Sequence, residues 1–148
     1  MSTRDGTPVT TSRRMWGLAV AGAAAFWVVN LLISLTPAAA EYRAALSIRY
    51  GLMLAQAAVG GLLVGAIVTW ALLRFPHRIP GRTSMAKSVT LGAIVVLVVT
   101  VLLEAPAKFT GALDDPWRYF FLALGFNVLR VGALAAVIGH RAQHRQGT

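Results

Sequence analysis

The chain has 148 residues, of which 57% are hydrophobic and only 13% charged. Soluble domains carry charge on roughly a quarter of their residues, so this composition excludes an ordinary soluble domain and points to a membrane protein. The formal charge of +9 comes from 14 Lys and Arg against five acids, and the absence of Cys excludes disulfide frameworks, thiolate metal sites and Cys nucleophiles.

Residues 1–14 read as a basic cytoplasmic arm with Arg4, Arg13 and Arg14. The first apolar segment, 15–35, is long enough to cross a bilayer, which takes about 20 residues at a rise of ~1.5 Å each. Ser12-Arg13-Arg14 before it and Ala38-Ala39-Ala40 after it are features of an export signal. Its apolar run exceeds the roughly 7–15 residues of a signal core, so retention is expected. Asn30 lies in its outer half, and Thr36-Pro37 reads as its stop.

The second span, 51–73, carries Gln56 and four small residues spaced by four, Ala57, Gly61, Gly65 and Thr69. That spacing strips side-chain bulk from one stripe and predicts close approach of another helix. Pro76 and Pro80-Gly81 end the segment. The loop that follows holds Arg74, Arg78, Arg82 and Lys87, a basic segment able to attract anionic headgroups, although an ordinary topogenic loop needs the same charges.

The third span is drawn over 85–107, with Lys87 and Glu104 near its two ends and Pro106 closing it. Glu104 borders the membrane, and an outer salt bridge with Arg49 or Lys108 is its expected role. Arg130 is expected to be too deep to reach it, because Trp117 to Arg130 is about 20 Å of helix rise. Asp115-Pro116 reads as N-cap and N1 of the fourth span, 117–139. Residues 15–139 thus form the membrane domain, and 140–148 a cytoplasmic tail.

The fold expected is all-α, an integral membrane four-helix bundle with both termini cytoplasmic. Lys and Arg crowd the N-terminal arm, the loop at 74–87 and the tail with Arg141 and Arg145, which the positive-inside rule places in the cytoplasm. The composition is compatible with a GC-rich bacterial genome and the location with the cell membrane. No nucleic-acid partner is expected, since the positive charge is split among three short membrane-flanking segments.

Arg130 is the most informative residue. A central Arg costs ~2.5–3.5 kcal/mol on insertion scales, so it calls for a partner, a wet cavity or a path to the headgroups. Helical projection groups it with Asn127, Leu134 and Arg141, opposite a stripe of Gly125, Gly132, Ala136 and Gly139. Asn30, Gln56 and Asn127 are candidates to line a polar chamber with it, or to bond across helices. The Gly stripe, if Arg130 turns inward, should point outward and dock another helix.

His140 and His144 share a helix face, but no further ligand accompanies them, and no metal or cofactor is assigned. No acid, base and nucleophile constellation indicates an enzyme. The favoured reading is a multi-pass protein acting through helix packing, as accessory subunit or homo-oligomer. The alternative is a small-solute or ion transporter or channel built on the cluster around Arg130.

Overall fold

The computed structural model describes residues 8–110 and 113–144. Six α-helices follow in order: α1 (Pro8–Ser34), α2 (Pro37–Ala45), α3 (Tyr50–Arg74), α4 (Ser84–Val99), α5 (Ala105–Phe109) and α6 (Pro116–His144). A π-helical turn, Thr100–Glu104, joins α4 to α5, so that 84–109 run as one span. With α1, α3 and α6 this gives four helices long and apolar enough to cross a membrane. The four expected spans are all present. The fourth is longer than its apolar run and reaches His144.

The turns are written in the sequence. Thr83 Oγ1 accepts from Ala86 N at 3.1 Å and opens α4, and Asp115 Oδ1 accepts from Arg118 N at 3.0 Å at the start of α6. The π turn has a local cause in Pro106, which offers no N–H to the carbonyl four residues back and whose ring crowds that carbonyl. The helix widens just before it, and Ala105 N–H bonds Thr100 O, five residues back. The detour leaves Val101, Leu102 and Leu103 facing out, 56–65% exposed, and turns Glu104 inward.

Helix α2 was not anticipated. Thr36-Pro37 does stop α1, but it also starts a new helix. Thr36 Oγ1 donates to Ile33 O at 2.7 Å on one side and accepts from Ala39 N at 3.2 Å on the other, with Pro37 at the first position. The run Pro37–Ala45 ends where Ser47 adopts φ 52°, the left-handed conformation that commonly closes a helix, with Ile48 N bonded to Arg43 O at 2.9 Å.

Helix α6 sits between α1 and α4, and α3 lies on the far side of α1, touching α4 only sparsely. The small residues of α3 are the α1 contact. A Cβ on Gly65 would lie 2.7 Å from Ala19 O, and one on Gly61 2.9 Å from the Phe26 ring. Backbone approach this close needs glycine. The α4–α6 seam works likewise at Gly92 against Ala135, and Ser88 Oγ donates across it to Ala135 O at 2.7 Å. Leu18, Phe26, Val68, Leu72, Val131, Leu134 and Ile138 fill the centre. Val59, Leu63, Ile67, Leu97 and Leu129 face outward, all more than half exposed, while Asn30, Ser88 and Asn127 are buried. This inverts the pattern of a soluble bundle and suits a lipid surround. Exposed Trp16 and Trp70 lie toward one end and Trp117 toward the other, as interfacial anchors do.

The glycine stripe of α6 does not behave as a unit. Gly125 and Gly132 have nothing within 4 Å of an added Cβ, as the outward reading requires, but Gly139 is buried with Met85 Cα 2.7 Å from that position. The outward reading is therefore corrected at Gly139. Helix α4 starts beside α6 and covers the stripe at Gly139, leaving a groove of about 250 Å³ between Gly92, Val96, Val128 and Gly132 further along.

Candidate functional site

The bundle has two distinct ends. One holds the loop at 75–83 and the first and last turns of α1 and α6. The other holds α2, α5 and the start of α6, and below α2 lies a cavity of about 380 Å³. Its walls are the last turns of α1, the first turns of α3 and the middle of α6, with α2 as roof. From the third span only Leu103 and Glu104 of the π turn reach it.

Arg130 forms the floor. Its guanidinium donates from Nη1 to Asn30 Oδ1 at 2.8 Å, from Nη2 to Asn127 Oδ1 at 2.9 Å and from Nε to Phe126 O at 3.1 Å. The Phe26 ring lies 5.6 Å away against the guanidinium. All three hydrogen-bond acceptors are neutral, so no carboxylate neutralises Arg130 by direct contact.

The two asparagines pass that polarity on in different ways. Arg offers only donors, so each Asn must turn its oxygen toward Arg130 and its amide nitrogen away. Asn127 Nδ2 then donates to Glu104 Oε1 at 3.4 Å. Asn30 Nδ2 is fully buried and has no partner. An unmet buried donor costs about 1–3 kcal/mol, and this one belongs to a residue that lines the cavity.

Glu104 ties the floor to the roof. Lys108 Nζ lies 3.2 Å from Glu104 Oε2, with the Lys108 side chain only 5% exposed, and Tyr42 OH from α2 donates to the same oxygen at 3.4 Å. The Lys108 ammonium also stands 4.9 Å from the centre of the Tyr42 ring. Burial pushes the Tyr42 hydroxyl above its ordinary range, and the Glu104 charge adds to this while Lys108 opposes it. Tyr42 therefore stays a neutral donor. Beside it Arg43 Nη1 donates to Ser34 O at 3.0 Å and lies 5.1 Å from the Tyr50 ring centre, while Ser34 Oγ and Tyr50 OH are 3.2 Å apart. Arg43 and Arg130 both line the cavity, and Glu104, already matched by Lys108, is the only acid among the described residues of its wall. The site is cationic.

Of the residues singled out from sequence, Arg130, Asn127 and Asn30 meet directly, and Gln56 lines the same cavity from α3 without joining the network. Glu104 pairs with Lys108, whereas exposed Arg49 takes no part. The expectation that Arg130 lies too deep for Glu104 holds only for direct contact. The helix ends are not level: α6 begins well above the last turn of α1, and Asn127, one turn from Arg130, closes the remaining distance. Tyr42, Arg43 and Ser34 were missed. The signal was the string Thr36-Pro37-Ala38-Ala39-Ala40-Glu41, a cap, an N1 proline and strong helix formers. At the other end His140 and His144 sit edge to face, their ring centres 4.5 Å apart.

Comparison of the chain with protein-family models, curated proteins and solved structures finds no match to any of them.

Proposed function

We propose that the protein binds and moves a small solute rich in hydrogen-bond acceptors, above all a small anion, through the cavity at Arg130. One observation carries this reading: Arg130, whose guanidinium has no carboxylate partner, and Asn30, whose buried amide donor has no partner, are residues of one cavity wall. Arg130 lacks a counter-charge and Asn30 Nδ2 lacks an acceptor, and a bound anion would supply both. The apolar wall of Ile33, Met53 and Phe126 favours a solute with a compact apolar body or none. With the termini cytoplasmic, as the Lys and Arg distribution supports, the cavity occupies the outer half of the membrane. A Cys introduced at Gly81 should then resist an impermeant thiol reagent applied to intact cells, and labelling from outside would reverse the orientation.

The test is flux in proteoliposomes against a panel of acetate, benzoate, nitrate and chloride. At least one should move faster than in protein-free vesicles. Arg130→Gln should lower that flux at least tenfold while inserting normally. A panel in which no solute moves, or an Arg130→Gln variant as active as the parent, would defeat the proposal.

A second reading, assembly through helix packing, is favoured by the open groove at Gly132. Under it the chain is an accessory subunit or homo-oligomer whose α4–α6 face receives another helix. Gly132→Leu should then reduce the mass of the complex in mild detergent without unfolding the chain, and a strictly monomeric parent protein would remove this reading.

A further inference from the structure

We infer that the end of the bundle holding both termini carries a phosphate site formed by Arg14, Arg82 and Lys87. These cations come from three places in the chain: the first turns of α1, the loop before α4 and the first turn of α4. They line one cavity of about 310 Å³, with Gln143 of α6 as a further polar wall and Leu72 and Ala142 at its base. The positive-inside tendency requires cations at one side of a membrane but does not require them to converge. Arg74 and Arg78, equally basic and close in sequence, stay outside this cavity.

The convergence is built by the loop. Gly81 takes φ 134°, a conformation that side chains resist, and a Cβ there would stand 2.9 Å from Lys87 N. The loop therefore folds down onto the first turns of α4, where Thr90 Oγ1, whose single hydrogen is shared between Ala86 O at 2.9 Å and Pro80 O at 3.3 Å, touches it. Arg82 is thereby set beside Lys87. On the opposite wall Arg14 Nε is buried without a hydrogen-bond partner.

Among the described residues no acid stands beside the cluster. The four acids among the described residues, Glu41, Glu104, Asp114 and Asp115, all belong to the α2 end of the bundle. Three cations around a cavity with no carboxylate among its described lining residues suit a multiply charged tetrahedral oxyanion, which can accept from forked guanidinium groups and an ammonium together. The phosphate of an anionic lipid headgroup and a free phosphate ion share that chemistry.

The experiment uses the full-length protein and two probes. Inorganic phosphate is titrated calorimetrically into protein in neutral detergent at constant ionic strength set with chloride. Separately, protein extracted from vesicles of equal phosphatidylglycerol and phosphatidylcholine is examined by native mass spectrometry for retained lipid. Saturable phosphate binding identifies a free-ion site, and preferential retention of phosphatidylglycerol identifies a headgroup site. Either result supports the inference. In the responding arm Arg82→Gln and Lys87→Gln should each weaken binding about tenfold or more, Lys87→Arg should restore most of it, and Arg78→Gln should change it less than twofold. Thermal unfolding of each variant checks folding. Binding of neither probe, or an Arg78→Gln loss equal to that of Arg82→Gln, would overturn the site.

Discussion

The two ends of the bundle use charge in opposite ways. At the α2 end every charged group of the interior is tied to a neighbour: Lys108 to Glu104, Glu104 to Asn127 and Tyr42, Asn127 to Arg130, Arg130 to Asn30. At the other end Arg14, Arg82 and Lys87 face a common space with no acid among the described residues that line it. The first arrangement fixes positions within the low-dielectric interior, where an unpaired charge is costly, and leaves one donor free. The second sits at the rim, where water screens the repulsion and the cations stay available. Removing one group should therefore cost stability at the α2 end and affinity at the other.

The largest effect is expected at the Glu104 and Lys108 pair. Glu104→Gln leaves the buried Lys108 ammonium without a counter-charge and should lower stability by about 3–5 kcal/mol. Thermal or denaturant unfolding in detergent checks this, and adding Lys108→Met should recover part of the loss. Lys87→Gln at the opposite end should change stability by less than about 0.5 kcal/mol.

Next in size are the glycine contacts. Gly65→Ala drives a methyl against Ala19 O and should cost about 1–3 kcal/mol by forcing α1 and α3 apart. Gly132→Ala meets open space and should be neutral or slightly stabilising in the same assay, since Ala is the better helix former. Equal losses at the two positions would contradict the packing described.

The smallest effect belongs to Tyr42. Tyr42→Phe removes a long hydrogen bond to Glu104 and should cost about 0.5–1.5 kcal/mol near neutral pH. Its pH dependence has a definite sign. Because the folded hydroxyl titrates above the ordinary value of 10.0, its stabilising contribution is full below about pH 10 and is lost as pH rises through the folded value. The parent protein should therefore lose more stability than Tyr42→Phe on the alkaline side, and parallel curves would show that the hydroxyl is not buried as described.

Much of this was readable from the chain. The number of spans followed from apolar runs and from punctuation at Thr36-Pro37, Pro76, Pro106 and Asp115-Pro116, since helix ends need caps and proline cannot sit freely within a helix. The Gly61 and Gly65 stripe identified a close-packed face because only missing side chains permit such approach. Arg130, Asn127 and Asn30 stood out through the cost of polar groups in lipid. Relative depth was not readable, because it depends on where each helix starts beyond the membrane, and Glu104 appeared out of reach for that reason. The π turn before Pro106 and the roof over the cavity also escaped. The first is a shift of a single hydrogen-bond step, and the second is a nine-residue helix too short for an apolar period to reveal.

The central claim is that Asn30 and Arg130 present an incomplete donor set to a solute. The chain contains only two asparagines, Asn30 and Asn127, so their side-chain amide signals in ¹⁵N-labelled protein can be told apart with a single variant. Benzoate, acetate, nitrate and chloride titrated into protein in detergent should move the Asn30 amide saturably for at least one of them. The Asn127 amide, already bonded to Glu104, should move much less, and the Asn30 response should disappear in Arg130→Gln. An Asn30 amide that stays fixed through the whole series, or moves equally without Arg130, would contradict the account.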